Sequence, residues 1–265
     1  MTTPAAHTEQ QPPAWTGADL AGDPHAHAEK AEKVRRMFAA IARSYDLNNR
    51  LHSFGRDQAW RRAAVRAAQL RSSDTVLDVA CGTGDLTRAF ADAGASIVVG
   101  LDFTAEMLDV ARTKPLGTSK PGTMATNTIS YVQGDAMALP FEDASFDVVS
   151  IAFGIRNVTD PAKALREFKR VLRPGGRLVV LEFSRPRNPL IAAGNNLYTR
   201  RIMPVTASLI ARDRSGAYRY LPKSVQTFLT PQEMTQSIEA AGFTQVTSRP
   251  LTFGVCTCYR ASVPA

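Results

Sequence analysis

The middle of the chain alternates short apolar, β-branched runs with helix-compatible stretches of mixed polarity. Strands are predicted at Thr75–Ala80, Ser96–Leu101, Ile129–Gln133, Phe146–Phe153 and Gly176–Phe183. Helices are predicted near Asp85–Ala93, Ala105–Thr113 and Ala162–Leu172. Runs this apolar belong to strands buried on both faces, and the alternation implies parallel βαβ units with right-handed crossovers. Further on, a helix Pro231–Ala241 with Thr230 as its N-cap precedes strands Phe243–Ser248 and Leu251–Tyr259. Ahead of the alternation, Val34, Met37, Phe38 and Ile41 share one stripe of a helix from about Ala28 to Ala42, and Arg56–Leu70 forms a second helix carrying Trp60 and Val65. Residues 1–28 show no hydrophobic period and are expected to be a disordered tail; residues 29–71 then form a helical cap. Ala42–Gly55 mixes aromatics, amides, a histidine and a glycine, which suits a binding segment better than a packed element. Lys114–Thr128 is expected to be a flexible connection. Residues 184–229 interrupt the alternation after the fifth strand, where a substrate lid is expected and a solvated excursion is the alternative.

The stretch Thr75-Val76-Leu77-Asp78-Val79-Ala80-Cys81-Gly82-Thr83-Gly84-Asp85-Leu86 joins the first strand to its helix. Gly82 and Gly84 permit a sharp turn and close approach of backbone to a ligand. Strand, glycine turn and helix N-terminus make a nucleotide-type site at the carboxyl edge of a sheet. The dinucleotide fingerprint would require a third glycine where Thr87 stands, which disfavours a nicotinamide dehydrogenase. Asp102, at the tip of the second strand, is placed to accept both ribose hydroxyls of a nucleoside, although it equally suits a cap for the following helix. Asp135, after the third strand, suits an adenine amino group, with the Ala136 N–H on a ring nitrogen and Met137 or Phe141 against the purine; a helix cap is its plainer role. Taken together, Asp78, Gly82, Thr83, Gly84 and Asp102 resemble the S-adenosylmethionine (SAM) site of class I methyltransferases. That resemblance implies an α/β, Rossmann-like, mostly parallel sheet with helices on both faces, and SAM as the methyl-donor cosubstrate.

Composition narrows the picture modestly. At 265 residues, 44% hydrophobic and 21% charged, the chain suits one large α/β domain with additions or two small domains, and the resemblance implies a single methyltransferase domain over residues 29–265. Cys81, Cys256 and Cys258 are too few for a disulfide framework and lack zinc spacing, so no metal is expected. Cys256 and Cys258 alternate on a strand and are expected in the core. Met1–Gly22 has no apolar centre, so no signal peptide is expected, and the apolar Ile202–Ala211 is too short to span a bilayer. A cytoplasmic protein follows as the expectation. The formal net charge of +8 favours anionic partners such as a membrane surface or nucleic acid. Nucleic-acid methylation is disfavoured: the fourth strand ends Ser150-Ile151-Ala152-Phe153-Gly154-Ile155-Arg156-Asn157, without the Pro-Pro-aromatic sequence for base amino groups, and Cys81 lies in the glycine turn rather than near this end.

Two longer stretches are more specific. Tyr45-Asp46-Leu47-Asn48-Asn49-Arg50-Leu51-His52-Ser53-Phe54-Gly55 through Trp60, and Arg170-Val171-Leu172-Arg173-Pro174-Gly175-Gly176-Arg177 through Leu181-Glu182-Phe183-Ser184, resemble the menaquinone/ubiquinone-biosynthesis C-methyltransferases. Phe153–Asp160 and Tyr218-Arg219-Tyr220-Leu221 match the same family, and the likeness runs over residues 30–260. It implies methyl transfer from SAM to a ring carbon of a lipid-soluble polyprenyl quinol, with demethylmenaquinol preferred and a ubiquinone precursor as the alternative. Family cofactor contacts carry over to Thr83, Asp102, Asp135 and Ala136; Ala152 stands where a serine is usual, and Asp57 where histidine often precedes the tryptophan. Arg156 is the candidate to stabilise a phenolate, with Asn157, Tyr45, His52 and Tyr218 as candidates to orient the ring. Arg61, Arg62, Arg66, Arg200, Arg201 and Arg212 are expected to hold the protein transiently on an anionic membrane leaflet, and a homodimer is left open. A non-catalytic SAM-fold binding protein is the reading from another class.

Overall fold

The structure, a computed structural model, describes residues 13–115, 128–211 and 215–265. Helices α1 (Lys30–Ile41), α2 (Tyr45–His52) and α3 (Arg56–Ala68) lead into β1 (Thr75–Val79), α4 (Asp85–Asp92), β2 (Ile97–Asp102), α5 (Ala105–Thr113), β3 (Thr128–Gln133) and β4 (Phe146–Ala152). Then come α6 (Pro161–Val171), β5 (Leu172–Phe183), α7 (Pro189–Leu197), α8 (Met203–Ala211), α9 (Ala217–Thr227), α10 (Pro231–Ala240), β6 (Thr244–Leu251) and β7 (Cys256–Ser262). The seven strands lie in the order β3-β2-β1-β4-β5-β7-β6, all parallel up to β5 and antiparallel at β7. The order reverses between β1 and β4, so the crevice outside their carboxyl ends is the natural ligand position.

The side-chain period of two divides the core between the sheet's faces. Leu77, Val79, Val149, Ile151 and Val180 pack against Leu165 and Phe168 of α6 and Met234 and Ile238 of α10. Val76, Val98, Val148, Val179 and Leu181 meet Trp60, Ala64 and Ala68 of α3 and Leu86 and Phe90 of α4. Helix starts follow local chemistry: Asp160 accepts the Lys163 N–H ahead of Pro161, and Thr230 with Glu233 forms a capping box on α10. Cys256 and Cys258 are both buried on the second face, as their alternation requires.

Two expectations are corrected. The tail expected over residues 1–28 holds no such freedom from residue 13 onward: Trp15 is fully buried, stacks on Tyr220 at 4.6 Å and donates its backbone N–H to Ser215 at 3.1 Å. One large aromatic side chain provides enough buried area to anchor a segment that has no hydrophobic period. His25 Nε2 also donates to the Ser224 carbonyl at 2.8 Å, and buried Lys30 donates to the Val158 carbonyl at 2.6 Å. Trp15, Val34, Met37, Ile41, Met107, Tyr218 and Tyr220 form a third core, which joins this N-terminal strap to the cap and to the insertion. Second, Ala42–Gly55 is largely helical, because Asp46 in the first turn and Arg50 and His52 in the last suit the helix dipole of α2. The insertion folds as α7, a wide π-type turn Tyr198–Ile202, α8 and α9. Most of the connection expected at Lys114–Thr128 lies outside the described residues.

Candidate functional site

Two neighbouring cavities open above the carboxyl ends of β1, β2 and β4. The first is lined by Ala80 and Gly82 after β1, Asp102 and Phe103 at the end of β2, Asp135, Ala136 and Met137 after β3, and Ala152 to Gly154 at the end of β4. Its floor is under backbone tension: Ala80 (φ 52°) and Phe153 (φ 58°) both occupy the left-handed region without being glycine. Gly154 permits this packing, since a Cβ there would lie 2.5 Å from the Ala80 Cβ. Gly82 (φ 56°) turns the chain so that its N–H reaches an Asp102 oxygen at 2.8 Å, while the other Asp102 oxygen accepts the Thr104 N–H at 2.8 Å. Burial raises the Asp102 carboxyl, against which both N–H bonds act. The carboxylate stands on the cavity lining, where the hydroxyls of a ribose would meet it.

Behind this floor, Asp78 does not line the cavity. Its two oxygens accept hydrogen bonds from Thr87 Oγ1 and Ser150 Oγ, each at 2.7 Å, and desolvation pushes its pKa up to about 6. The expected direct cofactor contact is therefore replaced by a brace linking β1, α4 and β4. Thr83 and Gly84 are not among the residues that line this cavity. Thr83 Oγ1 donates to Asp46 of α2 at 2.6 Å, and Lys114 bridges Asp46 and Asp85 at 2.6 Å to each. This clasp fixes the cap over the glycine turn. Asp135 accepts the Met137 N–H at 2.8 Å, so the turn-capping role is real, and the residue still faces the cavity with Ala136.

The second cavity, about 340 Å³, lies between the cap, the end of β5 and the insertion. Tyr45, His52, Arg156 and Tyr218 meet there, with Trp60, Phe153 and Phe183 as an aromatic wall. Phe153 and Phe183 stand 4.6 Å apart. Asn157 lines the first cavity instead, where its side chain donates to the Phe153 carbonyl at 3.3 Å and accepts from Tyr220 at 2.9 Å. Arg156 is anchored from behind by Glu182 at 2.7 Å and donates to the Phe153 carbonyl at 2.6 Å. Burial raises the Glu182 carboxyl and the guanidinium opposes it. His52 shares a 3.3 Å contact with the Tyr198 hydroxyl, its Nε2 is buried without a partner among the described residues, and desolvation lowers its pKa. Burial likewise raises the Tyr45 phenol, against the pull of Arg61 and Arg156.

The aromatic wall, Glu182 as an anchor and the Asp46–Lys114 clasp were not read from the sequence. Arg61, expected on a membrane-facing patch, is instead 7% exposed and lines the second cavity. Arg62, Arg66, Arg200 and Arg201 are exposed, and Arg212 lies outside the described residues. Among the described residues no cluster of His, Cys, Asp and Glu could hold a metal ion, and no helix is long and apolar enough to cross a membrane.

Solved structures resemble the fold at low sequence identity. The [4+2]-cyclase SpnF covers 89% of this chain and 96% of its own, with TM-score 0.62 and 16% identity. A SAM-dependent methyltransferase from Aquifex aeolicus covers 85% and 98%, with TM-score 0.57 and 17% identity. Such neighbours establish the architecture alone. Sequence relatives are much nearer. A demethylmenaquinone methyltransferase of Deinococcus radiodurans is 44% identical over 228 residues, covering 86% of this chain and 91% of the relative. A ubiquinone/menaquinone biosynthesis C-methyltransferase UbiE of Ectopseudomonas mendocina is 40% identical over 266 residues, the full length of both. The model of the ubiE/COQ5 methyltransferase family matches residues 26–262, and with a glycine-turn cavity adjoining an aromatic one the chain belongs to that family.

Proposed function

We propose that this protein methylates a ring carbon of a polyprenylated demethylmenaquinol with SAM as donor, giving menaquinol. The observation that carries the reading is the shared wall: Phe38, Tyr45 and Phe153 line both cavities, so a ligand in one directly adjoins a ligand in the other. The first cavity fits an adenosyl ligand, with Asp102 for the ribose, Asp135 and Ala136 for the adenine edge, Phe103, Met107 and Met137 for its faces, and Gly82 and Ala152 close to the chain end of the donor. Thr83 supports the methionine end through the turn. Bound SAM supplies an electrophilic methyl group on a sulfonium. The names of the relatives from Deinococcus radiodurans and Clavibacter sepedonicus, both demethylmenaquinone methyltransferases, favour the naphthoquinol.

The residues of the second cavity suit carbon nucleophilicity. A ring carbon becomes nucleophilic when the neighbouring hydroxyl gives up its proton, and Arg156, held by Glu182, stabilises the resulting phenolate. Tyr45, His52 and Tyr218 orient the ring, and Asn157 steadies the Phe153 hinge between the cavities. Attack on the donor methyl would form the C–C bond as the C–S bond breaks with its electron pair returning to sulfur; the hydroxyl proton and then the ring-carbon proton would pass to water, and reprotonation of the oxygen would restore the quinol with one proton released overall. Near in-line placement at about 3–3.5 Å is the main catalytic contribution.

A lipid-soluble acceptor also calls for access from the membrane. Leu47, Leu51 and Phe54 at α2 and Leu190, Leu197, Ile202 and Val205 in the insertion are exposed, with Phe54 78% and Leu190 83% accessible. Arg62, Arg66, Arg200 and Arg201 are exposed as well, which supports transient attachment of a cytoplasmic protein to the inner face of the membrane. Sedimentation with vesicles should increase with anionic lipid and fall with salt; indifference to both sinks the membrane part. Labelled-methyl transfer from SAM to a panel of demethylated naphthoquinols and benzoquinols, read by mass spectrometry, tests the reaction. Methylation of the naphthoquinol ring carbon is expected. Preference for the benzoquinol would reassign the substrate, and SAM binding without any product would leave a non-catalytic SAM-binding protein.

A further inference from the structure

Arg61 is a charged group that the reaction outlined above does not use. It sits on α3 one helical turn after Asp57, whose carboxylate it meets at 2.8 Å, and both side chains are buried. Burying an ion pair is expensive, and a helix that needs only to pack against a sheet would be better served by apolar residues. Asp57 is fully engaged, accepting from Ser53, Gln58 and Arg61. Arg61 is not. Of its five N–H donors, one bonds Asp57, and no other bond is made among the described residues. The guanidinium lies 5.7 Å from the centre of the Phe153 ring, within the lining of the 340 Å³ cavity.

Arg156 occupies the corresponding place on the next ring of the wall, 5.3 Å from the centre of Phe183. Its terminal nitrogen not engaged by Glu182 likewise has no partner among the described residues. Two guanidiniums thus flank the tilted Phe153–Phe183 pair, each held by a carboxylate from behind and each retaining free donors. Both act on the Tyr45 phenol, which lies at the junction with the first cavity. A quinol ring carries oxygens at opposite ends. We propose that Arg61 is a second substrate-contacting residue, binding the quinol oxygen opposite the one that faces Arg156, so that the cavity selects 1,4-diols over rings with one hydroxyl.

This rests on the quinol reading of the cavity, and the experiment separates the two. Initial rates are compared for a short-chain demethylated 1,4-naphthoquinol and for its analogue lacking the hydroxyl remote from the methylated carbon, in the wild type, Arg61→Met and the double variant Asp57→Asn/Arg61→Met. The double variant removes the pair together and so leaves no orphaned carboxylate. The wild type should favour the diol in kcat/KM by about 10- to 100-fold, the worth of one hydrogen bond to a charged group. Both variants should lose that preference, chiefly through a higher KM for the diol, with SAM affinity unchanged by calorimetry. A purely structural Arg61 would depress both substrates alike and keep their ratio, which overturns the proposal. Absence of turnover on any diol by the wild type would instead overturn the quinol reading.

Discussion

Replacing Asp78 with Asn tests the brace behind the glycine turn. The carboxylate is 1% exposed, accepts two hydroxyl hydrogen bonds and has its pKa pushed from 3.8 to about 6. Desolvation and the repulsion of Asp102 raise it, and the two hydroxyls and Arg61 pull the other way. Because the folded value exceeds the unfolded one, the folded state keeps this proton to a higher pH. The stability it contributes is complete below about pH 4 and is lost as pH rises through about 6. A shift of about 2 units corresponds to about 3 kcal/mol. Asn cannot titrate, and its amide can accept from Thr87 while donating to a rotated Ser150 hydroxyl. Urea unfolding of both proteins without SAM, at intervals from pH 4 to 7.5, gives the difference directly. Asp102 and Glu182, also raised by burial, contribute nearly equally to both proteins and largely cancel. The Asn variant should gain up to about 3 kcal/mol on the wild type between pH 4 and 7. A difference that stays flat across this range refutes the argument that the charge is held there at a cost.

Arg156→Lys should lower kcat by at least about tenfold while SAM affinity stays within a factor of two, since a point charge cannot reproduce a planar fork held by Glu182 and the Phe153 carbonyl; equal loss of both would mean a structural role. Trp15→Ala should cost about 3–5 kcal/mol, seen as a lower denaturant midpoint, because it empties the third core at its stacking partner Tyr220. Asp46→Ala releases Thr83 and half of the Lys114 bridge and should weaken SAM binding by about tenfold, read by calorimetry, with little loss of thermal stability.

The parallel sheet was legible because its central strands bear apolar residues on both faces and alternate with helix-compatible stretches. The cofactor edge was legible for the same reason: Gly82, Asp102 and Asp135 lie at or just past strand ends, where the chain order alone fixes their neighbourhood. The tail was misread because a single tryptophan anchors it, and one residue makes no period. Charge alone groups Arg61 with the surface arginines, and its place on the helix separates it from them. Helical spacing puts it with Asp57, Trp60, Ala64 and Ala68 on the buried stripe of α3, while Arg62 and Arg66 point outward. Glu182 and the Asp46 clasp depend on contacts between distant segments, which no local pattern encodes.

The account turns on a donor and an acceptor meeting across Tyr45 and Phe153. A crystal structure with S-adenosylhomocysteine and a short-chain demethylated naphthoquinone measures this directly. The thioether sulfur should lie about 5 Å from the unsubstituted ring carbon, one C–S bond beyond the near-attack distance of about 3–3.5 Å, with the ring resting on Phe153 and Phe183. A quinone bound elsewhere, or turned so that this carbon faces away from the sulfur, would contradict the account.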